Sequence, residues 1–335
     1  MPANNNLLVV SGPEAASILD GQETKVIDII REAYETHAEG QTALPHSIFL
    51  RFPSQPRDRI IGLPAYVGGE HPVAGMKWVA SFPGNLEQGL PRASATLVLN
   101  STETGRPYAF LESSLISAQR TGASAALAAK TLTHRGTTEL SLVGCGPINR
   151  EVGRFTLAAM ADISKVRLYD TDQERARTMA AEITAATGRE TEVVPDITAA
   201  IKDSPLVSIA TNALEPYLDD PALFAKNSVV LHVSLRDITP AVIASAINVV
   251  DDLDHVNREA TSIHLASQAA GNTDFVAANL GDLLIGSKSL PESEQPIIFS
   301  PFGLGILDVK LGQYVHDEAV ARGIGQTIIN FLPEN

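Results

Sequence analysis

Hydrophobic positions recur with two periods in this chain, and the changes between them mark out its parts. Val26, Ile29, Ile30, Ala33, Tyr34 and His37 fall at helical spacing until Gly40 ends the run. Before them, Ser11 followed by Glu14 has the spacing of a capping box that opens a shorter helix. From Ala43 to Ser113 the texture turns to short β-rich runs, HSIFLRF, RIIGLPAYV, VAGMKWVAS, ATLVLNS and PYAFLES, separated by Pro, Gly and Asn clusters. These runs predict a mostly antiparallel sheet, with STETGRP as the turn of one hairpin. The alanine-rich stretch Leu115 to Leu132 predicts a helix that leads into alternating strands and helices, continuing to about residue 300.

In that second region the apolar runs predict parallel strands at 140–143, 166–169, 193–195, 206–210, 229–233 and 248–250, with helices at 149–160, 173–187 and 240–246. After Asp308 the run LGQYVHDEAVARGIGQTIINFL predicts one long amphipathic helix that returns to the first domain. The expected organisation is a discontinuous substrate-binding domain, residues 1–120 with 308–335, and a nucleotide-binding domain, residues 121–307. A chain of 335 residues with 44% hydrophobic content can fill two cores.

One segment carries a chemical signature. LSLVGCGPIN is an apolar run that breaks into Gly-Cys-Gly, and Asp170 ends the next apolar run, KVRLYD, 26 positions after Gly144. This order reads as the first βαβ unit of a Rossmann-type, doubly wound parallel sheet. Gly144 permits a tight strand-to-helix turn, and Gly146 lets a pyrophosphate approach the N-terminus of the following helix. Asp170 is placed to accept hydrogen bonds from the adenosine ribose, which selects NAD over NADP. Asn149 stands where the fingerprint's third glycine belongs. The predicted NAD-binding set is Thr121, Gly144, Gly146, Pro147, Ile148, Asn149, Asp170, Thr211, Ser234 and Leu235.

Charge narrows the partners. A formal net charge of −14 argues against nucleic acid and anionic membrane surfaces. Between Pro45 and Arg120, however, seven basic residues outnumber five acidic ones, so an anionic small molecule has a local basic region to enter. Cys145 is the one cysteine, which excludes an intramolecular disulfide, and the eight histidines show no HExxH or comparable ligand spacing, so no metal is expected. The start MPANNNLLVV lacks a basic region followed by a long apolar one, so no secretory leader is expected, and no run is long and apolar enough to cross a bilayer. The expected location is the cytoplasm.

Lys77 lies in VAGMKWVASFPGN and has two readings, an edge lysine whose head reaches water or an anion contact. Arg120, in SAQRTGASAALAAK, is flanked by small residues that leave room for a carboxylate held by its guanidinium fork; a domain-interface salt bridge is the other reading. Thr211 follows the strand LVSIA, and SLRD, Ser234 to Asp237, follows VVLHV, so both lie at carboxyl ends of parallel strands, where ligands bind in such sheets. Asp237 could take a proton from a substrate amine or cap the helix starting at Pro240. His232 reads as a satisfied buried histidine and Cys145 as a packed side chain.

The segments GMKWVASFPGN, RASATLVLN, LESSLISAQRTGASAALAAKTL and VGCGPIN resemble the ornithine cyclodeaminase and μ-crystallin family over nearly the whole chain. Within it, SFPGN, RASA, LPHSIFLRFP, RIIGLPAYVGG and HVSLRD are similar to the branch that makes L-2,3-diaminopropionate for siderophores and peptide antibiotics. The resemblance implies an α/β fold in which an α+β domain supplies an antiparallel or mixed dimerisation sheet, a homodimer, and bound NAD. It places the family's substrate-carboxylate residues on Lys77 and Arg120 and, with His46, Arg51 and Arg92, forms a basic pocket for an amino-acid substrate carrying several carboxylates. Lys77, Arg120 and Asp237 are then the catalytic candidates. The cyclodeaminases carry GGDxPGK where this chain has HVSLRD, so the acid is displaced to Asp237 and the motif's lysine is not preserved.

The implied reaction is NAD-dependent oxidative cleavage of N-(2-amino-2-carboxyethyl)-L-glutamate to 2-oxoglutarate and L-2,3-diaminopropionate. Ornithine cyclodeamination and cyclic imino acid (ketimine) reduction are the enzyme alternatives. A nucleotide-binding crystallin-like protein without turnover is the third.

Overall fold

The computed structural model describes residues 5–134 and 136–333, so the first four residues of MPANNNLLVV lie outside the described residues. The chain divides into two compact units, one formed by residues up to Arg120 together with those from Leu304 onward, the other by Thr121–Gly303.

The first unit holds strands β1 (Leu7–Val10), β2 (Thr42–Ala43), β3 (Ile48–Phe52), β4 (Gln55–Val67), β5 (Val73–Ser81), β6 (Ala93–Asn100) and β7 (Pro107–Glu112). With the C-terminal strand Gln326–Ile328 they form a mixed sheet, ordered C-terminal strand, β1, β7, β6, β5, β4, β2, with β3 also on β4. β1 and β7 run parallel, whereas β4 to β7 form an antiparallel ladder in sequence order. STETGRP turns β6 into β7.

Helix α1 (Gly12–Leu19) starts at Ser11, whose backbone N–H and hydroxyl both donate to the Glu14 carboxylate, at 2.8 and 2.6 Å. Ser11 and Glu14 form the predicted capping box. Helix α2 (Glu23–Ala38) buries Val26, Ile29, Ile30, Ala33 and Tyr34.

The C-terminal run departs from its periodicity. Its helix starts earlier than predicted, spans Gly305–Arg322, and gives way to the strand Gln326–Ile328. Gly323 closes the helix at φ 65°, and Gly325 (φ 96°) lies so close to β1 that a Cβ there would meet the Val9 carbonyl oxygen at 2.8 Å. Chain reversal onto β1 therefore replaces two further helical turns. The helix is buried at every position from Gly305 to Leu311 and so is not amphipathic there, which places Asp308 in the interior.

The second unit is a parallel sheet of β8 (Glu139–Val143), β9 (Lys165–Tyr169), β10 (Glu190–Val193), β11 (Leu206–Ile209), β12 (Val229–His232), β13 (Ile247–Val250), β14 (Val276–Asn279) and β15 (Ile297–Ser300). Their order is β10, β9, β8, β11, β12, β15, β13, β14. Val143, Ile209, Val230, Val250 and Ile298 from five strands share one core. β10 begins three residues before the predicted 193–195, at alternating Glu190 and Glu192, which pair with Lys165 and Arg167 of β9. β15 enters between β12 and β13, an insertion that no local pattern announces. Helix α3 (Ser114–Leu132) contains the boundary between the units, α4 spans Pro147–Ala159, and α5 spans Gln173–Thr187, the residues its periodicity predicts.

Candidate active site

In the second unit, strand order reverses between β8 and β11, so β8 and β11 lie side by side while their connections leave in opposite directions. Ligands of such sheets bind at this point, beyond the carboxyl ends of the strands. Gly144 ends β8 with φ 85°, and a Cβ there would meet the Ala210 carbonyl oxygen at 2.5 Å, so only glycine permits the turn. Gly146 is the N-cap of α4, and a Cβ built on it meets nothing within 4 Å. Space is thus open in front of a helix N-terminus whose first N–H groups, those of Ile148 and Asn149 after Pro147, have no intrahelical acceptor.

Asn149 explains the missing third glycine. It is fully buried; its Nδ2 donates to the carbonyls of Val143 at 3.0 Å and Gly144 at 2.7 Å, and its Oδ1 accepts from Ser208 Oγ at 2.6 Å. The amide ties α4 to β8 and β11 by hydrogen bonds where a glycine would do so by close approach. Asp170, after β9, accepts from the Cys145 N–H at 2.7 Å and the Asp172 N–H at 2.8 Å. Its carboxylate is therefore oriented beside the glycine turn. Cys145 packs under it, and burial, then the Asp170 charge, push the thiol up to about 12. Open space at Gly146, the α4 N-terminus and the Asp170 carboxylate together fit a dinucleotide.

Asp237 does not cap the helix that begins at Pro240; Thr239 holds the N-cap position. Its carboxylate is buried and gathers the ends of β11 and β12. Oδ1 accepts from the Thr211 hydroxyl and from Tyr217 Oη at 3.2 Å, while Oδ2 accepts from the Ser234 hydroxyl and lies 3.3 Å from His232 Nε2. The same ring nitrogen lies 3.2 Å from the Asp237 backbone nitrogen. Burial raises this carboxyl, but hydrogen bonding and charge from His232, with the Ser234 and Thr211 hydroxyls, outweigh it and hold the group at about 2. Two predicted cofactor residues, Thr211 and Ser234, are thus brought together on one anion. Leu235, next to Ser234, sits at φ 70°, a conformation that costs a branched side chain on the order of 1 kcal/mol. Thr121 lies in α3, half-buried.

The first unit holds the other cluster. β5 lies between β4 and β6, so Lys77 is an interior lysine and the edge reading is wrong. Opposite it stand Leu63 and Leu97. Its ammonium, 2% exposed, donates to Asp308 Oδ2 at 2.7 Å and to Ser117 Oγ at 3.0 Å. Arg120, one helical turn after Ser117, donates from Nε to Asp308 Oδ1 at 3.2 Å. Burial, helped by the Arg120 charge and opposed by Asp308, brings Lys77 down to about 8. Asp308 stays below the usual carboxylate range because Arg120 and then Lys77 outweigh its burial.

The remaining predicted cations lie further along the sheet. Arg51 faces Arg59 across the β3–β4 ladder, and Arg59 faces Ser81, four residues along β5 from Lys77. Strand alternation puts Arg51 and Arg59 on the Lys77 face, displaced roughly 13 Å along the strand direction at about 3.3 Å per residue. Arg92 precedes β6 at the same end, and exposed His46 precedes β3. Asp308, Ser117 and Tyr217 were not read from the sequence. The acid and Lys310 inside the apolar run GILDVKLG were the available signal for Asp308.

The family model for the ornithine cyclodeaminase/μ-crystallin family matches residues 19–323. The chain belongs to that family. It is 30% identical over 317 residues to the N-((2S)-2-amino-2-carboxyethyl)-L-glutamate dehydrogenase of Staphylococcus aureus, covering 90% of this chain and 92% of that one. Against the alanine dehydrogenase of Archaeoglobus fulgidus it is 27% identical over 332 residues, covering 96% and 98%. A solved structure of Thermococcus litoralis Δ1-pyrroline-2-carboxylate reductase, in complex with NADH and L-proline, superposes with a TM-score of 0.88 at 23% identity, covering 96% of this chain and all of that one. That likeness establishes the fold of this family member. Among the described residues, no helix is long and apolar enough to cross a membrane.

Proposed function

We propose that this chain is an NAD-dependent oxidoreductase that cleaves N-(2-amino-2-carboxyethyl)-L-glutamate to 2-oxoglutarate and L-2,3-diaminopropionate, supplying a siderophore or peptide-antibiotic precursor. The observation that carries this reading is the 30% identity over nine-tenths of the chain to a dehydrogenase of that substrate, in a protein whose fold brings the cations Lys77 and Arg120 together on one carboxylate. NAD supplies the acceptor for the hydride and its two electrons.

Arg120 presents a planar fork to a substrate carboxylate, and Lys77 adds a second charge, so the glutamate Cα–H is oriented while the rest of the molecule remains free to turn. The nitrogen lone pair forms the C=N bond as the Cα–H bond is lost, and the amine proton passes to solvent. Water then adds to the imine carbon, the C–N bond breaks, and ketone and primary amine separate. Asp237, held at about 2, is a weak base at neutral pH; in this reading it positions Thr211 and Ser234 and is not the proton acceptor. Gly144, Gly146, Asn149 and Asp170 form the nucleotide-binding turn, with Thr121, Pro147, Ile148 and Leu235 beside the bound cofactor.

The reading includes a homodimer formed through the sheet of the first unit. Met76, Val98 and Phe110 stand opposite one another in β5, β6 and β7, on the face turned away from Lys77, and Tyr66 and Trp78 share that face. Tyr66, Met76, Trp78 and Phe110 are each 37–38% exposed, an apolar surface suited to a second copy.

The test is absorbance in the NADH band after mixing protein, NAD⁺ and N-(2-amino-2-carboxyethyl)-L-glutamate, with L-ornithine in parallel. NADH accumulation with the first substrate alone is expected. Proline formation from ornithine without net NADH identifies a cyclodeaminase; inertness toward both, with NADH bound, refutes the cleavage reading, and NADH consumption with a cyclic imino acid then separates a ketimine reductase from a binding protein.

A further inference from the structure

Asp308 reaches the site from a helix 231 residues beyond Lys77 in sequence, and its surroundings restrict what it can do. The carboxylate is fully buried and divided between two cations from different elements, Lys77 at 2.7 Å on one oxygen and Arg120 at 3.2 Å on the other. Ser117 Oγ accepts from both cations, at 3.0 Å from Lys77 Nζ and 3.5 Å from Arg120 Nη2. Arg120 uses Nε for Asp308, and its side chain is 11% exposed, so the outer edge of the guanidinium is left to meet an incoming anion.

We infer that Asp308 is the positioning residue of this pocket: it fixes the Lys77 ammonium and the Arg120 fork and leaves the cluster with one net positive charge, matched to a single carboxylate. The inference rests on the reading above, in which Lys77 and Arg120 hold a substrate carboxylate. Two buried cations without a counter-ion are unstable, and the lysine, as the group able to give up a proton, would do so. With Asp308 present both cations persist, and arrival of one carboxylate brings the cluster to two positive and two negative charges. Charged groups facing Lys77 come from α3 (Arg120) and the C-terminal helix (Asp308), because its neighbours in β4 and β6 are Leu63 and Leu97.

The experiment is NMR titration of protein labelled with 13C at the lysine ε-carbons, the Lys77 signal being assigned by its loss in Lys77→Met. The wild-type midpoint is expected at about 8. Asp308→Asn should lower it by at least about one pH unit, a tenfold loss of proton affinity, because the attraction is removed while burial and Arg120 remain. Arg120→Gln should raise it, because the repulsion is removed while Asp308 remains. A midpoint unchanged in Asp308→Asn overturns the inference; if that variant does not fold, an unchanged midpoint in Arg120→Gln overturns it equally. Calorimetric titration with 2-oxoglutarate separates this from the substrate reading. Affinity falling above about pH 8 in wild type, and at lower pH in Asp308→Asn, supports both. Midpoints that move as expected without 2-oxoglutarate binding support the role of Asp308 and refute the substrate reading.

Discussion

Replacing Lys77 by methionine should change how stability depends on pH, by an amount that follows from its burial. The ammonium falls from the ordinary lysine value of 10.5 to about 8 because burial disfavours its charge more than Asp308 restores it. The folded protein therefore binds fewer protons at this site than the unfolded chain between about pH 8 and 10.5. Stability rises with pH wherever the unfolded state binds more protons, so this lysine makes the fold more stable on going up through that window. Below it the full penalty is present. A shift of about 2.5 units at roughly 1.4 kcal/mol per unit amounts to about 3 kcal/mol. Lys77→Met has nothing to titrate there and lacks the rise. The assay is urea unfolding of both proteins between pH 7.5 and 10.5, followed by fluorescence of Trp78, the chain's single tryptophan and the next residue in β5. Subtracting the variant's profile cancels the other titrating groups. A difference between the profiles that stays constant across the window would refute the reasoning, since the penalty could not then reside on Lys77.

Four further outcomes are expected. Gly144→Ala puts a methyl 2.5 Å from the Ala210 oxygen at a left-handed φ, and should abolish NADH binding, measured by fluorescence titration, while the first unit still folds. Asp237→Asn should weaken NADH binding through Thr211 and Ser234 yet leave the pH profile of turnover in place; loss of an acidic limb from that profile would restore Asp237 as proton acceptor. Asn149→Ala leaves the Val143 and Gly144 carbonyls and the Ser208 hydroxyl without their amide and should lower stability by about 1–3 kcal/mol, read as a fall in Tm. Trp78→Glu, on the exposed sheet face, should shift the particle to monomer mass in light scattering with little effect on the monomer's fold; unchanged mass would remove this face as the dimer contact.

Local periodicity determined much of this protein. Helical spacing placed α2, and α5 residue for residue, and two-residue alternation placed β4 to β7. The glycine turn with its terminal acid marked β8, α4 and β9, because a tight turn at left-handed φ and a helix start are written in adjacent residues. Tertiary structure alone decided three things. It brought Asp308 to Lys77 and Arg120, because a buried charge is tolerated only where the fold delivers its counter-ion, and that delivery depends on the helix Gly305–Arg322 packing on β5. It made Asp237 the meeting point of Thr211 and Tyr217, which follow β11, and of His232 and Ser234, at the end of β12, where its sequence neighbourhood suggested a helix cap. And it turned the end of the C-terminal run into a strand beside β1, since a free sheet edge offers backbone hydrogen bonds that a helical pattern, broken at Gly323 and Gly325, cannot outweigh.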